Sequence, residues 1–307
     1  MCLAVHPRLW RPFSLVVGQT YRPVEPPGLR SPRFRADPFD SLQVPTVTDL
    51  VYTRPYLYPR QQAAIFTDKR WTLLEASTKS GMTAAGIARI LEWGFLGKPG
   101  QTYWFVTPSS EQTRVAFNRV RQNLPIRSFQ SREAPTPTII ASSGTLLVFR
   151  SADSNIISED IWGLVIDGAS QTIGPQVSES AWHQLRSNLM ALKAPAVIMG
   201  SVRDKNNWFY NMCRRSEAGD LPDSQYRKIT YLNVMEETNI LDESEIEEIK
   251  KDLPDYLFRA LYLCEPLDDS IDPDNQNRDP RLMSDRELAL IAQIDLGENR
   301  LYMGGPH

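Results

Sequence analysis

The sequence is poor in the residues that build disulfide frameworks, zinc clusters and histidine-based catalytic sites. Its 307 residues include three cysteines and three histidines. Cys2, Cys213 and Cys264 are too far apart along the chain for a disulfide framework or a zinc cluster. A Ser-His-Asp triad or a histidine metal site likewise has few residues from which to be built.

Long apolar runs and a large net charge are also missing. No run of about 18 apolar residues occurs, which excludes a membrane span. The net charge of −3 gives no overall attraction to nucleic acid, so DNA binding would need a local basic patch. With 41% hydrophobic and 23% charged residues, we expect a soluble protein of the cytoplasm, neither secreted nor bound to a membrane.

Residues 1–56 differ in composition from the rest. They are dense in proline, and the first 36 residues carry six arginines, no lysine and one acid. Proline removes backbone donors and fixes φ, which disfavours helices and central strands. No continuous apolar segment indicates a signal peptide. We interpret 1–56 as a basic arm or linker, while an organelle transit peptide stays open as the alternative.

From residue 57 to 265, short apolar runs alternate with amphipathic stretches, which favours an α/β fold with a mostly parallel sheet flanked by helices. Strands are expected at 71–76, 102–107, 145–149, 163–167, 196–201 and 228–232, and helices at 83–96, 109–122, 178–192 and 204–218. Residues 242–263 predict two further helices, the first capped by Asp242 with Glu245 and ended before Pro254. Residues 266–307 form an acidic tail.

The most informative stretch is a strand, a small-residue turn and a helix over residues 73–85. The phosphate-loop template G-x-x-x-x-G-K-[ST] falls on Ala76 to Thr83. Gly81 and Thr83 match, whereas Ala76 replaces the first glycine and Met82 replaces the lysine. Half a motif of this kind is equally compatible with an ordinary strand–turn–helix corner.

Other segments add to it in a characteristic order. Tyr58-Pro59-Arg60-Gln61 precedes the loop, and the strand Gly163-Leu164-Val165-Ile166-Asp167 follows about 85 residues after it. Further on, a strand ending in Gly200-Ser201 leads into Asn207-Trp208-Phe209-Tyr210. Together these motifs resemble the ATPase domain of phage terminase large subunits, the motors that drive DNA into procapsids. The resemblance runs from about Leu57 to Glu265 and implies a P-loop NTPase fold of the ASCE, RecA-like class.

The resemblance implies a role for each matching residue. Tyr58 and Gln61 would face the adenine of ATP, and Ser201 would occupy the position that couples hydrolysis to movement. Thr83 and Asp167 would hold Mg²⁺ with the nucleotide. The loop that would wrap the phosphates comprises Ala76, Ser77, Thr78, Lys79, Ser80, Gly81, Met82 and Thr83. Lys79 matches a position where some members carry a basic residue that acts in cis on the γ-phosphate.

Two departures from the family pattern bear on catalysis. Met82 removes the cation that neutralises the β- and γ-phosphates, and Gly168 replaces the acid that polarises the attacking water. Loss of a positioned base alone typically costs about 10²–10⁴ in rate, and loss of charge stabilisation adds to it. Lys79, with Glu159 or Glu179, is the alternative source of the lost groups. We expect a degenerate or inactive nucleotide site.

The family's second domain is a nuclease that needs several clustered acids for two metal ions. Only about 40 residues follow Glu265, and Asp295 is their sole resemblance to the first acid of such a domain. We therefore expect no nuclease activity from this chain.

Local basic residues offer DNA contacts in two places. Arg203 and Lys205 follow the coupling strand and are interpreted as phosphate or DNA contacts. The arginines of the 109–122 helix fit better as its solvated face. Trp208 and its aromatic neighbours have the spacing of core residues rather than of a base-stacking platform.

Two functional classes stay open at this point. The first is a terminase-like ATPase working in a ring on double-stranded DNA, with a portal protein and a small terminase subunit as partners. The second is a pseudo-ATPase that serves as a scaffold or partner-binding module, or a decayed prophage product. A P-loop helicase is disfavoured because no second motor domain follows residue 265.

Overall fold

A computed structural model of the protein describes residues 52 and 54–267, apart from 125–127, 155 and 157. Its centre is an eight-stranded sheet in the order β3-β4-β5-β2-β6-β7-β1-β8. The strands are β1 (Trp71–Ala76), β2 (Thr102–Thr107), β3 (Phe129–Arg132), β4 (Thr138–Ala141), β5 (Leu146–Ser151), β6 (Gly163–Asp167), β7 (Ala196–Gly200) and β8 (Ser224–Ile229).

Eight helices lie among the described residues. They are α1 (Pro59–Ile65), α2 (Met82–Leu96), α3 (Ser110–Asn123), α4 (Glu179–Ser187), α5 (Trp208–Glu217), α6 (Tyr231–Glu237), α7 (Glu243–Asp252) and α8 (Asp255–Leu263). No helix of the described part of the chain is long and apolar enough to cross a membrane.

The sheet carries an apolar core on each face. Strands β1, β2, β6 and β7 are buried on both faces, which explains their nearly continuous apolar sequences. One core packs α1, α2 and α3 against Leu74, Phe105 and Val165. The other packs α4 and α5 against Leu73 and Ile166. A third, smaller cluster joins α6, α7 and α8 around Phe258, so the helical segment after the sheet has its own packing.

The sequence predicted most of the central sheet. The mostly parallel α/β class is confirmed, and β1, β2 and β6 have the predicted bounds. The expected strand at 228–232 is wrong in position: the strand ends at Ile229 because Thr230 caps α6 in a capping box with Asn233. The antiparallel strands β3 and β4 were not predicted.

The chain's outer segments are only partly described. The predicted arm over 1–56 is covered at residues 52 and 54–56, and the predicted tail over 266–307 only at 266 and 267. Asp295 therefore lies outside the described residues. Cys213 and Cys264 are free and buried. The described residues contain no cluster of three or more His, Cys, Asp or Glu that could bind a metal ion.

Candidate functional site

The candidate site lies at the carboxyl edge of the parallel strands. Strand β7 lies between β1 and β6 and pairs in parallel with both. The ends of β1, β6 and β7 therefore meet at one edge, the usual place for ligands in open α/β sheets. Ala76, Asp167 and Ser201, which stand far apart in the sequence, come from these three neighbouring strand ends.

The turn between β1 and α2 contains two residues in the left-handed conformation and leads directly into a helix. Lys79 and Gly81 both adopt left-handed conformations, with φ of 62° and 75°. Helix α2 begins at Met82 and has no side-chain cap among the described residues. The first amide groups of a helix have no partner within it, so they can donate to an anion where the helix dipole also favours negative charge.

The front of the loop is fastened to two other elements. The Ser77 N–H donates to the carbonyl of Ile229 at the end of β8 (2.9 Å), and the Thr78 N–H donates to the carbonyl of Leu261 in α8 (2.8 Å). The loop is thus connected by backbone hydrogen bonds to the edge strand and to the α6–α8 cluster.

Tyr58 and Gln61 hold the back of the loop. The Tyr58 hydroxyl donates to the Ser80 carbonyl (2.7 Å), and Gln61 Nε2 donates to the carbonyls of Ser80 (2.9 Å) and Gly81 (3.1 Å). Both side chains are buried. Their adenine contacts stay a prediction, while their contacts with the loop are a finding that the sequence did not suggest.

Met82 occupies the lysine position of the phosphate-loop template. The Met82 side chain is partly buried and packs against the apolar core under α2. Beside it, the Ser80 hydroxyl is buried and finds no hydrogen-bond partner among the described residues. The loop therefore contains a buried polar group that a ligand can satisfy.

Asp167 ends β6 where the resemblance requires the acid. It lies opposite Met199 of β7 and is nearly buried, with 9% of its surface exposed. Thr83, the expected partner in Mg²⁺ binding, lies in the first turn of α2 and is partly buried. Their roles as Mg²⁺ ligands stay predictions.

The backbone after Asp167 differs from a simple acid-to-glycine replacement. Gly168 has φ of +97°, a conformation that L residues rarely adopt. A side chain at this position would begin 2.7 Å from Gln171 Nε2 and 2.8 Å from Pro108 Cγ. The N–H groups of Gly168 and Ala169 both donate to the Met199 carbonyl (3.1 and 2.8 Å), which fixes this turn on β7.

Ser201 joins the same turn from the end of β7. Its N–H donates to the Ser170 carbonyl (2.9 Å), and its hydroxyl oxygen accepts from the Thr172 N–H (2.9 Å). Thr172 also donates through its hydroxyl to the Val202 carbonyl (2.6 Å). The predicted coupling residue therefore contacts the turn that follows the acid, which is the geometry a relay between the two would need.

The two predicted DNA contacts have different surroundings. Arg203 is buried, with 5% exposure, and its Nε lies 3.9 Å from Asp204 Oδ2. Lys205 is exposed, so it presents more surface to a duplex than Arg203 does. Trp208 stacks on Trp182 and donates its indole N–H to the Val177 carbonyl (2.8 Å), as expected of a packed residue.

A buried glutamate under the loop was missed. Glu75 is 1% exposed and faces Arg214 (2.9 Å) and Lys228 (3.5 Å). Burial raises the pKa of its carboxyl more than the two cations lower it. Lys228 also donates to the Cys264 carbonyl (2.7 Å). The contacts of Glu75, Arg214 and Lys228 therefore connect β1, α5, β8 and the end of α8. An acid inside the otherwise apolar strand 71–76 is the signal that could have predicted it.

Neither proposed substitute carboxylate is bound to the loop. Glu159 pairs with Arg150 of β5 (3.7 Å), and burial raises the pKa of its carboxyl. Glu179 is exposed in the first turn of α4, 3.8 Å from His183. The contacts of both residues are on α4 or β5 rather than on β1 or α2.

The fold has close counterparts among solved structures. Similarity to the Thermus phage P74-26 large terminase ATPase domain covers 68% of this chain and 94% of that one, with a TM-score of 0.56 and 18% identity. The HK97 bacteriophage large terminase matches 73% of this chain and 52% of its own, with a TM-score of 0.57 and 14% identity. The fold is that of a large-terminase ATPase domain.

A third structure carries a nucleotide analogue. The large terminase of a thermophilic bacteriophage in complex with ATP-γ-S matches 68% of this chain and 53% of its own, with a TM-score of 0.54 and 12% identity. The chain thus spans about half the length of this terminase and of the HK97 one. The sequence matches no protein-family model and no curated protein, so the likeness is one of fold.

Proposed function

We propose that residues 57–265 form a nucleotide-binding, terminase-type ATPase domain whose hydrolysis is weakened. The observation that carries the proposal is the edge at which three neighbouring strand ends meet. There, a left-handed loop opens an uncapped helix after β1, and an acid ends β6 two strands away. In such an arrangement, the first N–H groups of the helix can donate hydrogen bonds to an anion.

The donors present fit ATP with Mg²⁺. The Thr83 hydroxyl and the Asp167 carboxylate are the hard oxygen ligands that Mg²⁺ prefers, and few protein ligands suffice because Mg²⁺ keeps waters and phosphate oxygens. When bound, the ion would neutralise part of the phosphate charge. The loop amides and the unpartnered Ser80 hydroxyl would bind the phosphates, and Lys79 would supply the loop's own positive charge.

Weakened hydrolysis follows from the two altered positions. Met82 packs in the core, so no cation reaches the phosphates from the start of α2. Gly168 has no side chain, so the acid expected beside Asp167 is missing. Each loss removes charge stabilisation that phosphoryl transfer depends on.

The wider role we propose is that of a packaging motor acting on double-stranded DNA in the host cytoplasm. Support comes from the fold shared with large terminases. A ring of copies, a portal protein and a small terminase subunit are the partners that this role implies, with the exposed Lys205 rather than the buried Arg203 as the DNA contact.

The second candidate function is a pseudo-ATPase that keeps the fold as a binding module. The left-handed Gly168 favours it, because the backbone there has departed from one that accommodates a glutamate. Nucleotide binding without turnover would be its signature.

The two candidates are separated by Mg²⁺-ATP binding and turnover of the wild type beside Met82→Lys. A restored charge-assisted contact is worth about 1.5–3 kcal/mol, so Met82→Lys should bind ATP at least about 10-fold more tightly. Met190→Lys, at an exposed methionine remote from the loop, is the control for added charge.

We expect the wild type to bind ATP and to turn it over slowly. Binding without turnover would favour the pseudo-ATPase. No binding by the wild type or by Met82→Lys would contradict both candidates, and equal gains from both lysine variants would show an unspecific charge effect.

A further inference from the structure

The space that a side chain at position 168 would enter is already filled. Any such side chain would begin 2.7 Å from the side-chain nitrogen of Gln171. Real Cβ atoms essentially never show non-bonded contacts below 3.0 Å, so the Gln171 amide, the far end of a flexible side chain, lies where a residue-168 side chain would start and would have to move away from it. A polar group from three residues further along thus lies at the position that follows the acid Asp167 in the chain.

The turn that carries Gln171 is held firmly. Before it, Gly168 and Ala169 are bonded to Met199, and after it Thr172 is bonded to Ser201 and Val202. Gln171 itself is partly exposed, and the described residues provide no hydrogen-bond partner for its amide. The backbone that carries Gln171 is therefore fixed, and the side-chain amide is available to a water molecule.

A second polar group beside it also lacks a partner. The Ser170 hydroxyl is buried, at 1% exposure, and forms no hydrogen bond with the described residues. Buried polar groups without a protein partner are usually satisfied by water or a ligand. Two consecutive side chains after the β6 acid thus offer hydrogen bonds that the protein does not use.

We propose that Gln171 replaces the missing acid as the group that orients the attacking water. This role rests on the proposed nucleotide-binding function. An amide can hold a water in line with the γ-phosphate, as a glutamine does in several GTPases, but it cannot accept a proton at neutral pH.

The chemistry balances without a base. The water oxygen forms a bond to the γ-phosphorus while the bond from that phosphorus to the β,γ-bridging oxygen breaks. ADP leaves with the bonding electrons, and the water protons pass to phosphate oxygens and solvent. Without a base, turnover is slow, which agrees with the weakened hydrolysis proposed above.

The role is tested with Gln171→Ala, Gln171→Glu and the exposed Gln184→Ala of α4 as control. Three quantities are measured in the full chain: ATP affinity, single-turnover hydrolysis and affinity for ADP with aluminium fluoride, which mimics the transition state. A water-orienting residue acts in the transition state rather than in the ground state.

For Gln171→Ala we expect hydrolysis and aluminium fluoride affinity to fall at least about 10-fold, with ATP affinity unchanged within about threefold. Gln171→Glu should hydrolyse faster than the wild type, since its carboxylate can accept a proton. Gln184→Ala should match the wild type in all three quantities.

The outcomes separate this role from the proposed function. If the wild type binds ATP and Gln171→Ala matches it in hydrolysis and aluminium fluoride affinity, the role is overturned alone. If wild-type hydrolysis is too slow to measure, a gain in Gln171→Glu supports the role and no gain overturns it. No ATP binding by the wild type overturns both.

Discussion

The two halves of the candidate site, the loop after β1 and the turn after β6, differ from the family pattern in different ways. In the loop between β1 and α2, Met82 occupies the lysine position of the template, and the backbone has two left-handed residues followed by the start of a helix. In the turn after β6, Gly168 lies at φ +97°, and Pro108 and Gln171 fill the space beside it. The first half thus differs from the template in a side chain, whereas the second half combines a missing side chain with a left-handed backbone and filled surroundings.

This difference teaches that the two departures, which look alike in the sequence, are not equally reversible. Met82 is the first residue of α2, and its side chain packs against the core. A lysine at this position needs only a side-chain conformation that points out of the core. A glutamate at 168 needs a different backbone and a displaced neighbour. The three predictions below challenge this contrast, starting with the largest expected effect.

Gly168→Glu should destabilise the protein strongly rather than restore activity. A non-glycine residue in so strained a conformation costs about 1–3 kcal/mol, and overpacking against Pro108 and Gln171 adds about 1–3 kcal/mol. The free energy of unfolding, measured in urea, should therefore fall by about 2–6 kcal/mol.

Gly219→Glu is the matched control. Gly219 has φ of +84° but nothing within 4 Å of an added Cβ, so only the backbone strain applies. We expect a loss of about 1–2 kcal/mol there. Equal losses at both positions would show that the space beside Gly168 is not filled, and would remove the contrast between the two halves of the site.

Tyr58→Phe tests whether the loop between β1 and α2 depends on its hydrogen bond with Tyr58. The variant removes the hydroxyl that donates to the Ser80 carbonyl at 2.7 Å and leaves the ring in the core. Loss of one buried hydrogen bond should cost about 1 kcal/mol of unfolding free energy. A loop held less firmly should also bind ATP several-fold more weakly.

Tyr56→Phe, at a tyrosine that is 74% exposed, is the control. It should leave stability and ATP affinity unchanged. If Tyr58→Phe were equally silent in stability, the hydroxyl would not hold the loop. If it lost only ATP affinity, the adenine contact predicted from the sequence would be the better account of Tyr58.

The sequence predicted the fold further than the site. Strands buried on both faces, such as Gly163–Asp167, are continuous apolar runs and are recognisable without a structure. The edge strands are not, because Phe129–Arg132 is short and half exposed, and its pairing is decided by strands distant in sequence.

Within the candidate site, the sequence predicted roles for the loop and Asp167, which stay predictions, and it gave no indication of what surrounds them. The sequence does not give the φ angle of a glycine. It therefore indicated only that an acid is absent at position 168, and not that the backbone there is left-handed. Gln171 lacks a motif, and its relation to position 168 exists only in three dimensions. Tyr58 and Gln61 were matched to a ligand contact, whereas the structure shows their contacts with the loop.

The smallest expected effect concerns the strand beneath the intact loop. Burial raises the pKa of Glu75 above its ordinary value of 4.5 in the folded protein. The folded state thus keeps this proton to a higher pH than the unfolded chain. Its contribution to stability is fully present below the unfolded pKa and is lost as pH rises through the folded pKa.

Glu75→Gln removes that titration while keeping the shape of the side chain. The unfolding free energy of the wild type minus that of Glu75→Gln should therefore decrease as pH rises from below 4.5, and should level off above the folded pKa. Glu217→Gln, at an exposed partner of Arg214, is the control for removing a negative charge beside that arginine. A difference that increased with pH would mean that Arg214 and Lys228 outweigh burial. The ion pairs of Glu75 with Arg214 and Lys228 would then stabilise the strand that precedes the loop, in addition to the backbone hydrogen bonds of the loop.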